Sequence, residues 1–313
     1  MSWGGEHGVR IGLSAVVMAL RSGRLCVLTT ETPEHELALP FGPFDPAEDR
    51  TFERALRSFV TAQTGFGLGF VEQLYTFGDA GRAAPRPTPG PDRQREVSVG
   101  YLALTADAVD VAPPGARWTP ALDIFPWEDR RTASTKPINE ILTGLTTWAS
   151  DDPRRIERMD ALFPAAASAR WDETRVLERY ELLYEAGLVA EAARDRDDAA
   201  PVDLHDRPMA SDHRRILATG LGRLRSKLRY RPVLFELTPD TFTLSALQSA
   251  AEAVVGLNLH KQNFRRGVER TGLVEPTGRL STGTGGRPAE LFRFTGAGPR
   301  DGQAPGLALP ALR

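Results

Sequence analysis

Lys261, Gln262 and Asn263, followed by Arg265, Arg266 and Arg270, gather amides and cations within ten residues of "NLHKQNFRRGVERTG". Leu259, Phe264 and Val268 recur at helical spacing and would face inward, leaving the polar set outward on a helix capped by Asn258. Amide groups near a helix start reach base edges in a DNA groove, and guanidinium groups one turn later hold phosphates. A helix "FTLSALQSAAEAVVG", with Leu244, Leu247, Ala251 and Val254 on one face, precedes it and ends at Gly256. Two strand-like runs in "LVEPTGRLSTGTGGRPAELFRF" follow, placing Arg279 and Arg287 near a basic turn. Two helices, a tight turn and a hairpin make a winged helix-turn-helix. The rival reading is a solvated basic face on a small helical domain.

Charge supports an anionic partner. Between His205 and Phe294 there are 15 Lys and Arg against 8 Asp and Glu, while the rest of the chain carries 24 against 33. This polarity suggests a basic module on an acidic body. The module would open with "DHRRILATGLGRLRSKLRY", where Leu217, Leu221, Leu224 and Leu228 share a face and Arg223, Arg225, Lys227 and Arg229 lie mostly off it.

The first 130 residues read as mixed α and β. "VRIGLSAVVMAL" and "RLCVLTT" form strands joined by the hairpin signal "RSG", and "REVSVGYLALT" is a later strand. Asp49 can cap a helix carrying Phe52, Leu56, Phe59 and Val60, and "GDAGRAAPRPTPGPDRQ" reads as a loop. A single helix is expected over "WDETRVLERYELLYEAGLVAEAARDRDDAA". Its stripe of Val176, Leu177, Tyr180, Leu183, Tyr184 and Leu188 would serve internal packing or a subunit interface. The expected domains are 1–150, a helical linker or dimerisation segment 151–204, a DNA-binding module 205–295 and a tail 296–313.

At 313 residues the chain can bury a sizeable core, and Cys26 alone excludes an internal disulfide. The start lacks a basic n-region, and no stretch nears the roughly 20 apolar residues of a membrane span, so the expected location is the cytoplasm.

"LPFGPFDPAEDRTFERALRSFVTAQTGF", residues 39–66, resembles the Nudix signature at Leu39, Pro40, Gly42, Glu48, Val60 and "TGF". The resemblance puts the signature's Arg-Glu pair on Ser58 and Phe59, and its Glu-Glu pair on Ala62 and Gln63. Those glutamates would share a helix face to hold Mg²⁺ against a pyrophosphate. Without them, pyrophosphate hydrolysis is not expected: the resemblance implies no catalytic residue, no metal and no required cofactor.

Together with "NFRR", "GRPAELFRF" and "QLYTFGDAGR", the chain is similar over about residues 20–294 to the Nudix-related transcriptional regulators of bacterial NAD metabolism (NrtR-like). "ERYELLYEAGLVAEA" further resembles the branch described as NAD regulators in alphaproteobacteria. The implied fold is an α/β (α+β) Nudix-like sandwich, a helical linker region and a winged helix-turn-helix. The implied function is a homodimeric repressor binding double-stranded operator DNA, with the Nudix-like domain sensing an NAD-related nucleotide: ADP-ribose, NAD or ATP. Arg82, Arg95 and Tyr101 are the candidate effector contacts, of which only Gly81 and Arg82 stand where the family has "GRDP". Two alternatives stand beside this reading. One is a dinucleotide pyrophosphatase using Glu48, Glu53 and Glu72 as relocated acids; the other is a ligand-independent DNA-binding protein.

Overall fold

A computed structural model describes residues 9–32, 35–69, 71–78, 95–106, 113, 115–131, 136–164, 171–196, 207–281 and 288–296. The expected loop 78–94 beyond Gly78, with Arg82, lies outside the described residues, as do Arg287 and residues 297–313.

The first sheet is built on a long hairpin. Strands β1 (Val9–Arg21) and β2 (Arg24–Thr32) pair antiparallel across a two-residue turn. Ser22 and Gly23 both have positive φ there, the conformation that suits the twist of a tight hairpin. Strands β3 (His35–Ala38), β5 (Val71–Phe77) and β6 (Arg95–Thr105) complete the order β3-β2-β1-β6-β5. Strand β4 (Phe41–Pro43) joins β1 and β7 (Arg117–Pro120) joins β2. Strands β1 and β6 run parallel, and β1 is buried continuously from Leu13 to Ala19 because both faces of the sheet are covered.

Helix α1 (Phe52–Thr64) covers one face: Leu56 and Val60 pack with Leu13, Ala15 and Val17. On the other face lie the short α2 (Ala121–Ile124), α3 (Lys136–Ala149), α4 (Pro153–Leu162), α5 (Val176–Glu185), α6 (Ala190–Arg196) and α7 (His213–Lys227). Helix α7, which the sequence places at the head of the basic module, packs against β1, β5, β6 and α5. Gly220 permits this: a Cβ there would stand 2.9 Å from Val16 Cγ1.

Two local expectations need correction. Thr51, not Asp49, caps α1, accepting from Arg54 N at 3.2 Å, while Asp49 accepts from Asp45 N at 3.0 Å. The single helix expected after Trp171 is two, α5 and α6, broken at Gly187, whose φ of 73° leaves the helical region. The stripe takes the first of its two expected roles, internal packing: Val176, Tyr180 and Leu183 are buried in a core shared with α7. Helix α4 is an addition to the expected elements. Asp152 followed by Pro153 is a start signal for it, and Asp152 accepts from Arg154 N at 2.9 Å.

The C-terminal part contains α8 (Leu244–Val255), α9 (Lys261–Thr271) and a three-stranded sheet of β8 (Thr241–Phe242), β10 (Glu290–Phe294) and β9 (Val274–Leu280), in that order. Its core is continuous with that of the first domain: Leu247 and Val254 belong to one cluster with Val16, Met18 and Trp127, and α8 packs against β2. No helix among the described residues is long and apolar enough to cross a membrane.

Candidate nucleic-acid interface and the filled helix face

Helix α1 has filled the face on which acids would be needed. Phe59 lies on Gly42, so closely that a Cβ at Gly42 would be 2.9 Å from Phe59 Cδ1. Gln63 ties α1 to β4: its Oε1 accepts from Phe41 N at 3.2 Å and its Nε2 donates to Phe41 O at 2.6 Å. Ala62 is exposed and adds no ligand. The remaining acids are apart. Glu53 pairs with Arg57 at 2.7 Å, Glu72 pairs with Lys227 of α7, and Glu48 is exposed. Among the described residues no three His, Cys, Asp or Glu side chains gather as a metal site.

Of the nucleotide candidates, Arg95 opens β6 opposite Val9. Tyr101 is 7% exposed and belongs to the core under α1. Burial first, and Glu53 second, push its phenol above the ordinary range.

In the C-terminal domain the helix-turn-helix is closed by sequence-encoded caps. Thr243 accepts from Ala246 N at 3.1 Å at the start of α8, and Gly256, with φ of 71°, ends it. Helix α9 starts at Lys261 with His260 as its N-cap, not at Asn258. Asn258 instead donates to the Arg131 carbonyl at 2.9 Å. Leu259, Phe264 and Val268 are buried, and Lys261, Gln262, Asn263, Arg266 and Arg270 are exposed. Arg266 donates to Asn263 Oδ1 at 2.7 Å, so these two act as a unit in the unbound protein. Arg265 is half-buried and reaches Ser245 Oγ at 3.4 Å. Arg279 is exposed on β9 beside the exposed Leu280.

Of the four cations expected mostly off the leucine face of α7, Arg223 and Arg229 are exposed, whereas Arg225 turns inward and Lys227 is largely covered. Arg225 and Arg214 are fully buried. Arg214 pairs with Glu191 at 3.1 Å, Arg215 with Glu181 at 2.9 Å and Arg225 with Glu128 at 2.5 Å. Arg229, just past the helix, pairs with Glu173 at 2.8 Å and Asp172 at 3.0 Å. Residues 205–233 hold eight of the fifteen basic residues against two acids, whereas 234–294 hold seven against six. Much of the charge excess is therefore complementary to the acidic body, while α9 keeps an exposed basic face of its own.

A polar joint lies behind α9, built from residues that no local sequence pattern singles out. Glu128 lies in a 3-10 turn (Pro126–Glu128) and is fully buried. It accepts from Arg179 Nε at 2.6 Å and Nη2 at 2.9 Å, and from Arg225 Nη1. Burial pushes its carboxyl up, but the two guanidinium groups overcome this and hold it below the ordinary value of 4.5. With the folded value below the unfolded one, its stabilisation is present above pH 4.5 and lost as pH falls through the folded value. Thermal unfolding measured across acid pH is expected to fall more steeply for the wild type than for Glu128→Gln. Parallel curves would show that Glu128 is not a source of the acid sensitivity.

Comparison with known proteins adds to this geometry. Residues 234–294 match the family model of the NrtR DNA-binding winged helix domain. Over 86 residues the chain is 42% identical to the ADPR responsive transcriptional repressor NtrR of Acinetobacter baylyi, a match covering 28% of this chain and 34% of that protein. The chain thus spans about a third of the length of this curated relative. A crystal structure of Shewanella oneidensis NrtR complexed with a 27mer DNA is similar over 91% of this chain and 93% of that one, with 20% identity and a TM-score of 0.52. A MutT/nudix family protein from Enterococcus faecalis is similar over 94% of this chain and 89% of its own, with 14% identity and a TM-score of 0.55. These structural likenesses show the fold: a Nudix-like α/β domain with a C-terminal winged helix.

Proposed function

We propose that this chain, whose C-terminal domain is a winged helix of the NrtR type, is a DNA-binding transcriptional repressor controlled by an NAD-related nucleotide. The observation that carries the reading is that the family match spans 234–294 and contains an α9 with Lys261, Gln262, Asn263, Arg266 and Arg270 exposed on one helix. Gln262 and Asn263 would read base edges, while Arg266, Arg270 and Arg279 would hold phosphates. Arg265, tied to Ser245, supports the helix and can still turn outward to a phosphate. Arg287 would extend the contact from the wing.

The effector is ADP-ribose by preference. The curated relative is described as ADPR responsive, and NAD and ATP share its adenosine-phosphate part. Arg82, Arg95 and Tyr101 are the proposed contacts; Tyr101 requires side-chain movement to meet a ligand because it is buried. Binding without hydrolysis follows from Phe59 and Gln63 occupying the acid positions. A nucleotide that binds one arrangement of two subunits better would shift the dimer away from the spacing of a palindromic operator. The genes served would be those of NAD biosynthesis or salvage, and the setting the cytoplasm.

The test is titration of the protein onto duplexes from its own upstream region and from NAD-biosynthesis promoters. Each titration is repeated with ADP-ribose, NAD and ATP, and each nucleotide is assayed for turnover in Mg²⁺. Specific binding altered by an intact nucleotide is expected. No specific duplex, with AMP released from ADP-ribose, would reverse the assignment in favour of a hydrolase.

A further inference from the structure

The turn of the helix-turn-helix is fastened to the sensor domain at several points within five residues. Arg225 Nε donates to Val254 O at 2.8 Å, while its Nη1 donates to Glu128 at 2.5 Å. Arg130 N donates to Gly256 O at 2.7 Å, and Asn258 Nδ2 donates to Arg131 O at 2.9 Å. Gly256 is in van der Waals reach of the Glu128 carbonyl: a Cβ there would run into that oxygen, and its φ of 71° already disfavours any side chain. Arg179 brings α5 to the same carboxylate, and Arg225 Nη1 also donates to Glu173 O at 3.0 Å. The Glu128 segment, α5 and α7 therefore meet at one buried carboxylate, and the last turn of α8 is tied to it through Arg225 and lies on the Glu128 backbone carbonyl.

We propose that Glu128, with Arg179 and Arg225, is a positioning residue for DNA binding: it fixes the helix-turn-helix turn to the sensor domain and so sets the direction in which α9 is presented. Glu128 touches no DNA. Its carboxylate orients Arg225, Arg225 holds the Val254 carbonyl at the end of α8, and the short turn to Lys261 transmits that placement to the recognition helix. An apolar contact would tolerate sliding, whereas a bidentate Arg179 pair and directed hydrogen bonds accept one geometry. The continuous core beneath, with α8 against β2, joins the two parts directly, so a change at the joint is passed to α8. The inference rests on the DNA-binding reading for its purpose, but the joint itself can be tested without DNA.

Spin labels at Ala62→Cys on α1 and Glu269→Cys on α9, in the full chain with Cys26→Ala and diluted into excess unlabelled protein so that only distances within one chain are read, report the distance between the two domains. One narrow distance distribution is expected for this parent. Glu128→Gln, which leaves two guanidinium groups facing a neutral amide, is expected to widen or split it. If Glu128→Gln does not fold by circular dichroism, Gly256→Ala and Asn258→Ala keep the charged trio and should widen the distribution in that order. Folded variants with the parent's distribution would overturn the proposal. On any duplex that the wild type retains, the folded Glu128→Gln protein should bind more weakly with an unchanged salt slope, because every phosphate-holding side chain is still present. A changed slope would instead make Glu128 part of the DNA contact and refute positioning. Absence of any retained duplex, with the distances as expected, would count against the repressor reading alone.

Discussion

Arg214→Ala is expected to destabilise the protein by about 3–5 kcal/mol, the usual cost of removing one partner of a buried ion pair. Arg214 is fully buried beside Glu191, which is 1% exposed, and donates to the Ile124 carbonyl at 2.5 Å. Its guanidinium also lies 5.1 Å from the Trp127 ring centre and 5.5 Å from that of Phe125. Removing it leaves Glu191 charged in an apolar setting, facing the Met209 N–H at 2.9 Å without the compensating cation. The double variant Arg214→Leu, Glu191→Leu should recover much of the loss, since replacing a buried pair by apolar groups is often near neutral. Urea unfolding of the two proteins decides it; a single variant within about 1 kcal/mol of wild type would mean that the pair is hydrated or rearranges, contrary to the usual behaviour of buried pairs.

The second large effect concerns DNA. The double variant Arg266→Ala, Arg270→Ala removes two exposed guanidinium groups from α9 while leaving Phe264 and Val268 in the core. If both hold phosphates, the slope of log affinity against log salt should flatten by about 0.9 for each phosphate no longer neutralised. Affinity should fall most at low salt and about equally across sequences. Gln262→Ala should instead relax preference at the base pair it reads and leave the slope in place. Anisotropy titrations at several salt concentrations separate these outcomes, and an unchanged slope for the double variant would remove α9 as the phosphate-holding element.

How far the residues announced all this depended on the range of the interaction. The Ser22-Gly23 hairpin, the Gly256 end of α8 and the two strands of the wing depend on neighbours in sequence, and the pattern exposed them. The emptied face of α1 was legible as missing carboxylates, but not its replacement: Gln63 binding the Phe41 backbone spans 22 residues. The inward turn of Arg225 was hidden. Helical periodicity puts it off the leucine face, and the groups that offset the cost of its burial, Glu128 above all, lie up to 97 positions away. The start of α9 was obscured for the same reason, since Asn258 looks like a cap until the Arg131 carbonyl 127 residues earlier claims its amide.

The pairing of α7 with the acidic body has a consequence for engineering. A graft that moves the DNA-binding part from about residue 205 would carry Arg214, Arg225 and Lys227 away from Glu191, Glu128 and Glu72, stranding charges on both the donor piece and the remnant. A cut between Arg231 and Leu234 would leave those pairs intact and separate the family-matched segment 234–294. Even that chimaera would inherit an unfilled socket, because the loop around Glu128 is shaped to a glycine and a carbonyl that a foreign winged helix would have to present in register. If α9 reads DNA as proposed, transplantable specificity would reside in its exposed surface, and repainting that surface should succeed where exchanging the whole domain would not.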